Sequence, residues 1–447
     1  MSRFCGSLET EHGIPTVSLA NENVVSFGVG DHFKYSTGMP LRFVGMPYPF
    51  TGLSDERLKN YLDEGKDNLS GKPVMEAIED ALVTPLTEEE KIAGPSPEVK
   101  PEPRLLPADT ADNLQRLFKD NHWTDYNPII LPTEEKVAAM LEGTSHSPDE
   151  VVKANSGTFG TNRPFTVEKV AIIAVMAGAN KEYLPTLLAL ASQVPYSDST
   201  TSNASMILIN GPVRDEIGMN SGIGALGPNA EANSIIGRAM NLFHFILQGY
   251  EEGVSGYSSL SNPLRYGNVA IAENEERLPE GWKPYHVLMG HEPDDSVLTV
   301  FTGWNFVNCG GSVVEHYAPQ LLMRDFTRVL ASMGSATLIM DPSVADQLRN
   351  TQGFETKASL GEWLSKNAVV PAATYWANSI ASGINGPLGD QGLEPYATWR
   401  NVPGDTLIHH MTNARGINTI VVGGETASVW FISDFMGGRG VSIDTWR

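Results

Sequence analysis

Apolar positions in the N-terminal part of the chain come in short runs broken by polar residues. GIPTVSL (13–19) and LRFVGMPYPF (41–50) are rich in β-branched and aromatic residues and read as strands, the second running into prolines. SDERLKNYLDEGKDNLSGKPVMEAIEDALV (54–83) begins at Ser54, a residue type that caps helices, and alternates helix-forming stretches with glycine breaks. This alternation predicts a small, partial Rossmann-like α/β layer over residues 1–84.

The pattern then changes. Prolines at 85, 95, 97, 101, 103 and 107 are interleaved with charge, so residues 85–107 are expected to be a semi-extended linker that cannot hold a helix. Beyond it ADNLQRLFKDNHW, PTEEKVAAMLEGT and PFTVEKVAIIAVMAGA carry helical patterning, with starts at Pro132-Thr133 and near Thr166. SMILINGP and SATLIMDPS read as strands, SVADQLRN and SLGEWLSKNA as helices, and INTIVVGGE as the final strand. The fold class expected is α/β, with the larger mixed domain subdivided near residue 320 into 108–320 and 321–447. The sequence shows no fixed-period repeat.

Composition narrows the partners. With 447 residues the chain can bury two or three cores. Its 31 basic and 53 acidic side chains, a formal charge of -22, repel phosphate backbones and anionic lipid, which argues against nucleic acid; the charge itself names no substrate, and the partner expected is a small-molecule substrate. No apolar run reaches the length of a membrane span and no signal peptide is read, so a cytoplasmic protein with no membrane partner is expected. Two cysteines make no disulfide framework and fit a reducing compartment. Assembly as a homo-oligomer is left open.

Residues 207–243 are the densest in glycine and asparagine. A strand ends at Asn210-Gly211-Pro212, a loop holds Asn220, Ser221, Gly222, Gly224 and Gly227, and a helix starts near Pro228 or Asn229. Such glycines let backbone amides approach a ligand, and a helix N-terminus favours an anion. Neither the Walker nor the GxGxxG spacing is present. Asn229 and Asn233 share a helix face, and the Arg238 guanidinium beside the loop suits a carboxylate or phosphate. The competing reading is an ordinary capped helix whose asparagines close a loop.

In IAENEE, Glu273 and Glu275 point the same way if the strand continues, and Glu276 the other. With His286 and His291 they form either an acid–base or metal-binding set or a surface run; no HExxH or CxxC spacing marks a metal site. His409 and His410 face opposite ways on a strand. Cys5, ahead of Gly6 and Ser7, is either a thiolate stabilised at a helix start or a free thiol in a tail. Cys309, between a β-rich run and two glycines, is either buried and inert or a binding residue near the glycine loop.

CGSLETEHGIPTVSLA and GMPLRFVGMPYPFTGLSDE, within residues 5–55, resemble the small domain of the UGSC family of selenoproteins and their cysteine homologues, named for a selenocysteine-Gly-Ser-Cys motif. Cys5 stands at the selenocysteine position. That domain is similar in turn to the redox part of the selenoprotein B subunit of glycine and betaine reductases. WTDYNPIILPTEEKVAAML, TVEKVAIIAVMAGANKEYLP, NGPVRDEIGMNSGIGALGPNAEANSIIGRA, AENEE and PYHV with PDDSVLTV resemble the accompanying large domain, so the likeness covers most of residues 5–310.

The resemblance implies that Cys5 is a nucleophile that cleaves a carbon–heteroatom bond in a small polar metabolite. It places the substrate near Asn210, Asn229, Asn233, Arg238, Glu273, Glu275 and His286. Leu8 occupies the place of the motif's last cysteine, which removes a local dithiol cycle and favours a hydrolase or lyase over a reductase. No cofactor is required. The alternatives are an acid/base or metal-assisted hydrolase centred on the large domain, a thiol-dependent reductase using Cys309 or an external thiol, and a binding protein without chemistry.

Overall fold

The computed structural model describes residues 5, 8–9, 11–21, 41–47, 55–91, 104–153, 164–195, 203–227, 230–248, 258, 260–310, 317–330, 334–411 and 413–447. It is an α/β protein with mixed sheets. In the small body β1 (Ser18–Asn21) runs parallel to β2 (Phe43–Met46), followed by α1 (Asp55–Glu64) and α2 (Val74–Val83). Val44, Met46, Val74 and Ala77 form its own core. The buried Asp67 carboxylate ties the turn after α1 to the strand, accepting the Gly45 N–H at 2.7 Å and the Ser70 N–H at 2.8 Å.

The expected linker is corrected at its start. Glu88–Lys91 form a helical turn in which the Thr87 hydroxyl takes the Glu90 N–H and the Glu90 carboxylate takes the Thr87 N–H. This reciprocal cap was readable in TEEE and outweighs the nearby proline. Arg42 Nε then donates to Glu90 Oε1 at 2.7 Å, so the segment belongs to the small body. Pro95, Pro97, Pro101 and Pro103 lie outside the described residues.

In the large body α3 (Ala111–Asp120), α4 (Glu134–Leu141) and α5 (Val167–Ala177) begin on the hydroxyls of Thr110, Thr133 and Thr166. Each hydroxyl satisfies an N–H that the helix leaves open, a contribution of about 1 kcal/mol. A short antiparallel pair, β3 (Val151–Lys153) and β4 (Phe165–Thr166), precedes α5. Helix α5 and α6 (Leu184–Gln193) are apolar on most faces, and accordingly they are buried.

Two four-stranded sheets follow. The first is built on β5 (Ala204–Asn210), then α7 (Glu231–Leu242), β6 (Val269–Ala272) and β7 (Val297–Gly303). The second takes β8 (Phe306–Gly310) and β9 (Ala336–Met340), then α8 (Pro342–Asn350) and α9 (Lys357–Asn367). After a side pair of β10 (Val369–Pro371) with β11 (Leu407–His409), it closes with β12 (Ile417–Val421) and β13 (Val429–Ser433). The chain does not end its sheets at INTIVVGGE, since β13 and then β14 (Val441–Ser442) come after it.

Strand alternation explains the layering. Ile207 and Ile209 of β5 face α5, α6 and α7, while Met206 and Leu208 face the second sheet, where Ile339, Ile420 and Phe435 meet them. Leu338, Met340, Trp430 and Ile432 face α8 and α9 on the far side. The result is helices, sheet, sheet, helices.

The two sheets share one topology. Their strand orders are β6-β5-β7-β14 and β12-β9-β13-β8, with β5 parallel to β6 and antiparallel to β7 as β9 is to β12 and β13. The fourth strand is exchanged: β8 follows β7 but joins the second sheet, and β14 follows β13 but joins the first. The two halves thus repeat one strand topology with their fourth strands reciprocally exchanged, although the sequence shows no period. The switch between sheets falls at Trp304-Asn305, ahead of the subdivision expected near residue 320.

Candidate active site

The carboxyl ends of parallel strands in α/β sheets are where ligands collect. In the first sheet Asn210 is the last residue of β5, and Glu273 follows β6 directly. Glu273 does not continue a strand to Glu275 as expected, because Glu275–Arg277 turn into a 3-10 helix. Both carboxylates nevertheless meet at one amide: Asn210 Nδ2 donates to Glu273 Oε2 at 2.8 Å and to Glu275 Oε1 at 2.9 Å.

Glu273 is fully buried, and its charge is matched from a helix packed on the second sheet. Lys357 Nζ, at the first position of α9, lies 2.5 Å from Glu273 Oε1, and the Tyr285 N–H donates to Oε2 at 2.7 Å. A cation at a helix N-terminus opposes the helix dipole, so the pairing with Glu273 explains the residue. Burial and the Glu273 charge push the Tyr285 hydroxyl well above its ordinary range.

Glu275 is the partly open member, with 13% of its side chain exposed. Its Oε1 also accepts the Gly211 N–H at 2.8 Å. Arg214 braces the turn, donating to the Gly211 and Glu273 carbonyls and to Glu276 Oε1 at 2.8 Å. Burial works against the Arg214 charge, but the bond to Glu276 and the charge of Glu275 hold its pKa above the usual value. The same bond holds Glu276 below the ordinary carboxylate range. His286, fully buried, faces the Pro293 carbonyl through Nε2 at 3.3 Å, and its Nδ1 lies 3.9 Å from Glu275 Oε1. Asn210 Oδ1 and His286 Nδ1 have no hydrogen-bond partner among the described residues.

The glycine-rich loop is closed by its own asparagines. Asn233 Oδ1 accepts the Asn220 N–H at 3.0 Å and its amide donates to the Ala270 carbonyl at 3.2 Å; Asn220 Oδ1 accepts the Gly222 N–H at 2.9 Å. The Ser221 carbonyl accepts the Gly423 N–H at 2.7 Å, laying the loop across the strand ends of the second sheet. Residues 223–227 then separate two cavities. One, of about 210 Å³, is floored by Asp341 and Val422–Gly424; the other, of about 250 Å³, is walled by Asn233, Phe306 and Phe431. A Cβ on Gly424 would sit 2.1 Å from Ile223 Cγ1, so the close approach requires glycine there.

Three expectations fare differently. Asn229 lies outside the described residues; the helix begins at Glu231. Arg238 does not serve the loop: it grips Asp125 at 3.0 and 3.1 Å and the Pro128 carbonyl at 2.7 Å. Cys309 is not a loop residue either. It sits in β8 opposite Trp430, 5% exposed, and burial pushes its thiol up to about 11, the inert alternative.

Cys5 lies in a helical position, half-buried, with the Ser18 hydroxyl donating to its sulfur at 3.9 Å. It lines none of the three cavities described in this article. His291 meets Asp295 and the Arg439 carbonyl. His409 is exposed while His410 is buried.

Sequence reasoning missed Lys357, Arg214 and Asp341. Lys357 carried a signal, a lysine directly after the capping Thr356, where a helix disfavours positive charge. Among the described residues no group of three or more His, Cys, Asp and Glu could hold a metal ion, and no helix is long and apolar enough to cross a membrane. No protein-family model matches the chain, and the search of curated proteins likewise returns no match.

Proposed function

We propose that the large body is an enzyme that acts on a small polar metabolite by proton transfer, with Glu275 and His286 as its acid–base pair. One observation carries this reading. With Nε2 against the Pro293 carbonyl, His286 Nδ1 is left without a partner among the described residues 3.9 Å from Glu275 Oε1, which puts an imidazole nitrogen and a carboxylate side by side. Asn210 and the Gly211 N–H fix Glu275, whose partial exposure lets a substrate reach its carboxylate while His286 stays behind it. Hydrolysis or elimination at a carbon–heteroatom bond is the reaction class. The unbonded cysteines suit a reducing, cytoplasmic setting.

A second reading, covalent catalysis by Cys5, draws on the UGSC resemblance and on the half-buried place of the sulfur, with the Ser18 hydroxyl 3.9 Å away as a donor. One set of variants separates the two, assayed against amides, nitriles, thioesters and carbon–sulfur substrates. Under the first reading Glu275→Gln and His286→Gln lower turnover by about 100- to 10,000-fold and Cys5→Ser leaves it intact. Loss of turnover in Cys5→Ser alone, with rapid iodoacetamide labelling of Cys5 in the wild type, would overturn the first reading in favour of the second.

A further inference from the structure

The largest of the three cavities, about 440 Å³, lies away from the strand ends, between α7 with its continuation and residues 260–266. Its size falls within the range of roughly 300–1,000 Å³ typical of small-molecule sites. Helix α7 runs into a π-turn, Phe243–Leu247, a widening often found where a helix must aim side chains at a site. Here the turn brings His244 and Phe245 to the cavity wall. Two further wall residues, Tyr126 (φ 65°) and Ser261 (φ 59°), hold left-handed backbone without being glycine, a conformation kept where function demands it.

The chemistry of the wall centres on His244. Its side chain is 95% buried, a bond to the Pro195 carbonyl occupies one side of the ring, and Nε2 has no partner among the described residues. Burial, with the nearby Arg265 and Lys153 charges, lowers its pKa to about 3, so the ring is neutral near neutral pH. Nε2 is therefore a buried acceptor in want of a donor. A neutral donor such as a hydroxyl suits this acceptor.

The rest of the wall fits that choice. Asp125 is already occupied by Arg238 and does not call for a cation. The rings of Tyr126 and Phe245 meet edge to face at 5.9 Å, the Tyr126 hydroxyl is fixed by His122 at 2.7 Å, and Tyr266 stands 87% exposed at the rim. Aromatic rings of this kind pack against the C–H face of a sugar while polar groups take its hydroxyls. We propose that this cavity binds a monosaccharide-sized polyhydroxylated molecule, one hydroxyl donating to His244 Nε2 and its C–H face resting on the aromatic wall. It would give Arg238 a role in shaping this wall through Asp125.

The test is ligand-observed NMR of the full chain with D-glucose, D-galactose, myo-inositol and D-glucuronate at millimolar concentration. At least one probe is expected to bind, to shift the His244 Nε2 resonance of protein carrying ¹⁵N-labelled histidine, and to bind about tenfold more weakly in Tyr266→Ala, whose exposed side chain the fold does not need. His244→Leu should abolish binding. Failure of all four probes, or equal binding by wild type and Tyr266→Ala with an unmoved His244 signal, would overturn the proposal. Binding should persist in Glu275→Gln and His286→Gln, so this result stands or falls separately from the acid–base reading.

Discussion

At the strand ends of the first sheet stand Asn210, Glu273, Asn274 and Glu275; at the matching positions of the second stand Asp341, Val422, Gly423 and Gly424. The scaffold is the same, and the side chains differ most on the second strand of each pair, where Glu273, Asn274 and Glu275 correspond to Val422, Gly423 and Gly424. The first end gathers two carboxylates and is closed by Lys357 from the second half, whereas the second end keeps one carboxylate, Asp341, spent on backbone N–H groups, and leaves a cavity covered by Ile223–Gly227 from the first half. Each half thus supplies the lid of the other. Polarity at two or three positions decides whether such an end becomes an ionic centre or a cavity, because the surrounding strands fix where those positions lie.

The largest break in this comparison should come from Lys357→Met, which leaves Glu273 buried without its cation. A loss of about 3–5 kcal/mol is expected in urea unfolding, and adding Glu273→Gln should recover much of it. A loss under about 1 kcal/mol would show that the pair does not lock the halves.

Each half also buries a neutral histidine in the crossover between its parallel strands, His244 in the first and His410 in the second, and burial lowers both pKa values. Because the folded pKa lies below the unfolded one, the unfolded chain binds the proton first. Stability should therefore fall as pH drops below about 6.5, by up to about 1.4 kcal/mol per pH unit for each histidine. For His244 the fall continues until about pH 3. Replacing either histidine by leucine should flatten the slope of stability against pH; an unchanged slope would mean the ring is not held neutral.

The finest contrast is between two serines at matching places, one residue before β7 and β13. Ser296 Oγ accepts the buried Val213 N–H at 3.2 Å, but Ser428 Oγ has no partner among the described residues. Ser296→Ala should cost about 1–2 kcal/mol and Ser428→Ala almost nothing, as read from paired thermal melts. Equal effects would remove the distinction.

Much of the local structure was legible in the sequence. Thr133 and Thr166 start their helices because capping is a matter of a few consecutive residues, and SMILIN and ATLIM read as strands because both faces are apolar. The stacking of two sheets was not legible, since it depends on which apolar faces meet over long separations. At the candidate site, Glu273, Glu275 and His286 were visible as residue types, but their meeting at Asn210 depends on a turn that breaks the expected strand. Arg238 misled for a related reason: helix geometry places it well around the helix from Asn233, and Asp125 claims it.

The traded fourth strand has a consequence for synthesis. The outer edge of β7 is bridged at Thr302 by Met436 and completed at Leu298 only when Val441 and Ser442 have left the ribosome, so a chain that stops before them leaves the Val297–Leu298 end of that edge uncovered. A stop codon just ahead of Val441 should therefore produce more aggregation than the loss of two short-strand residues would suggest.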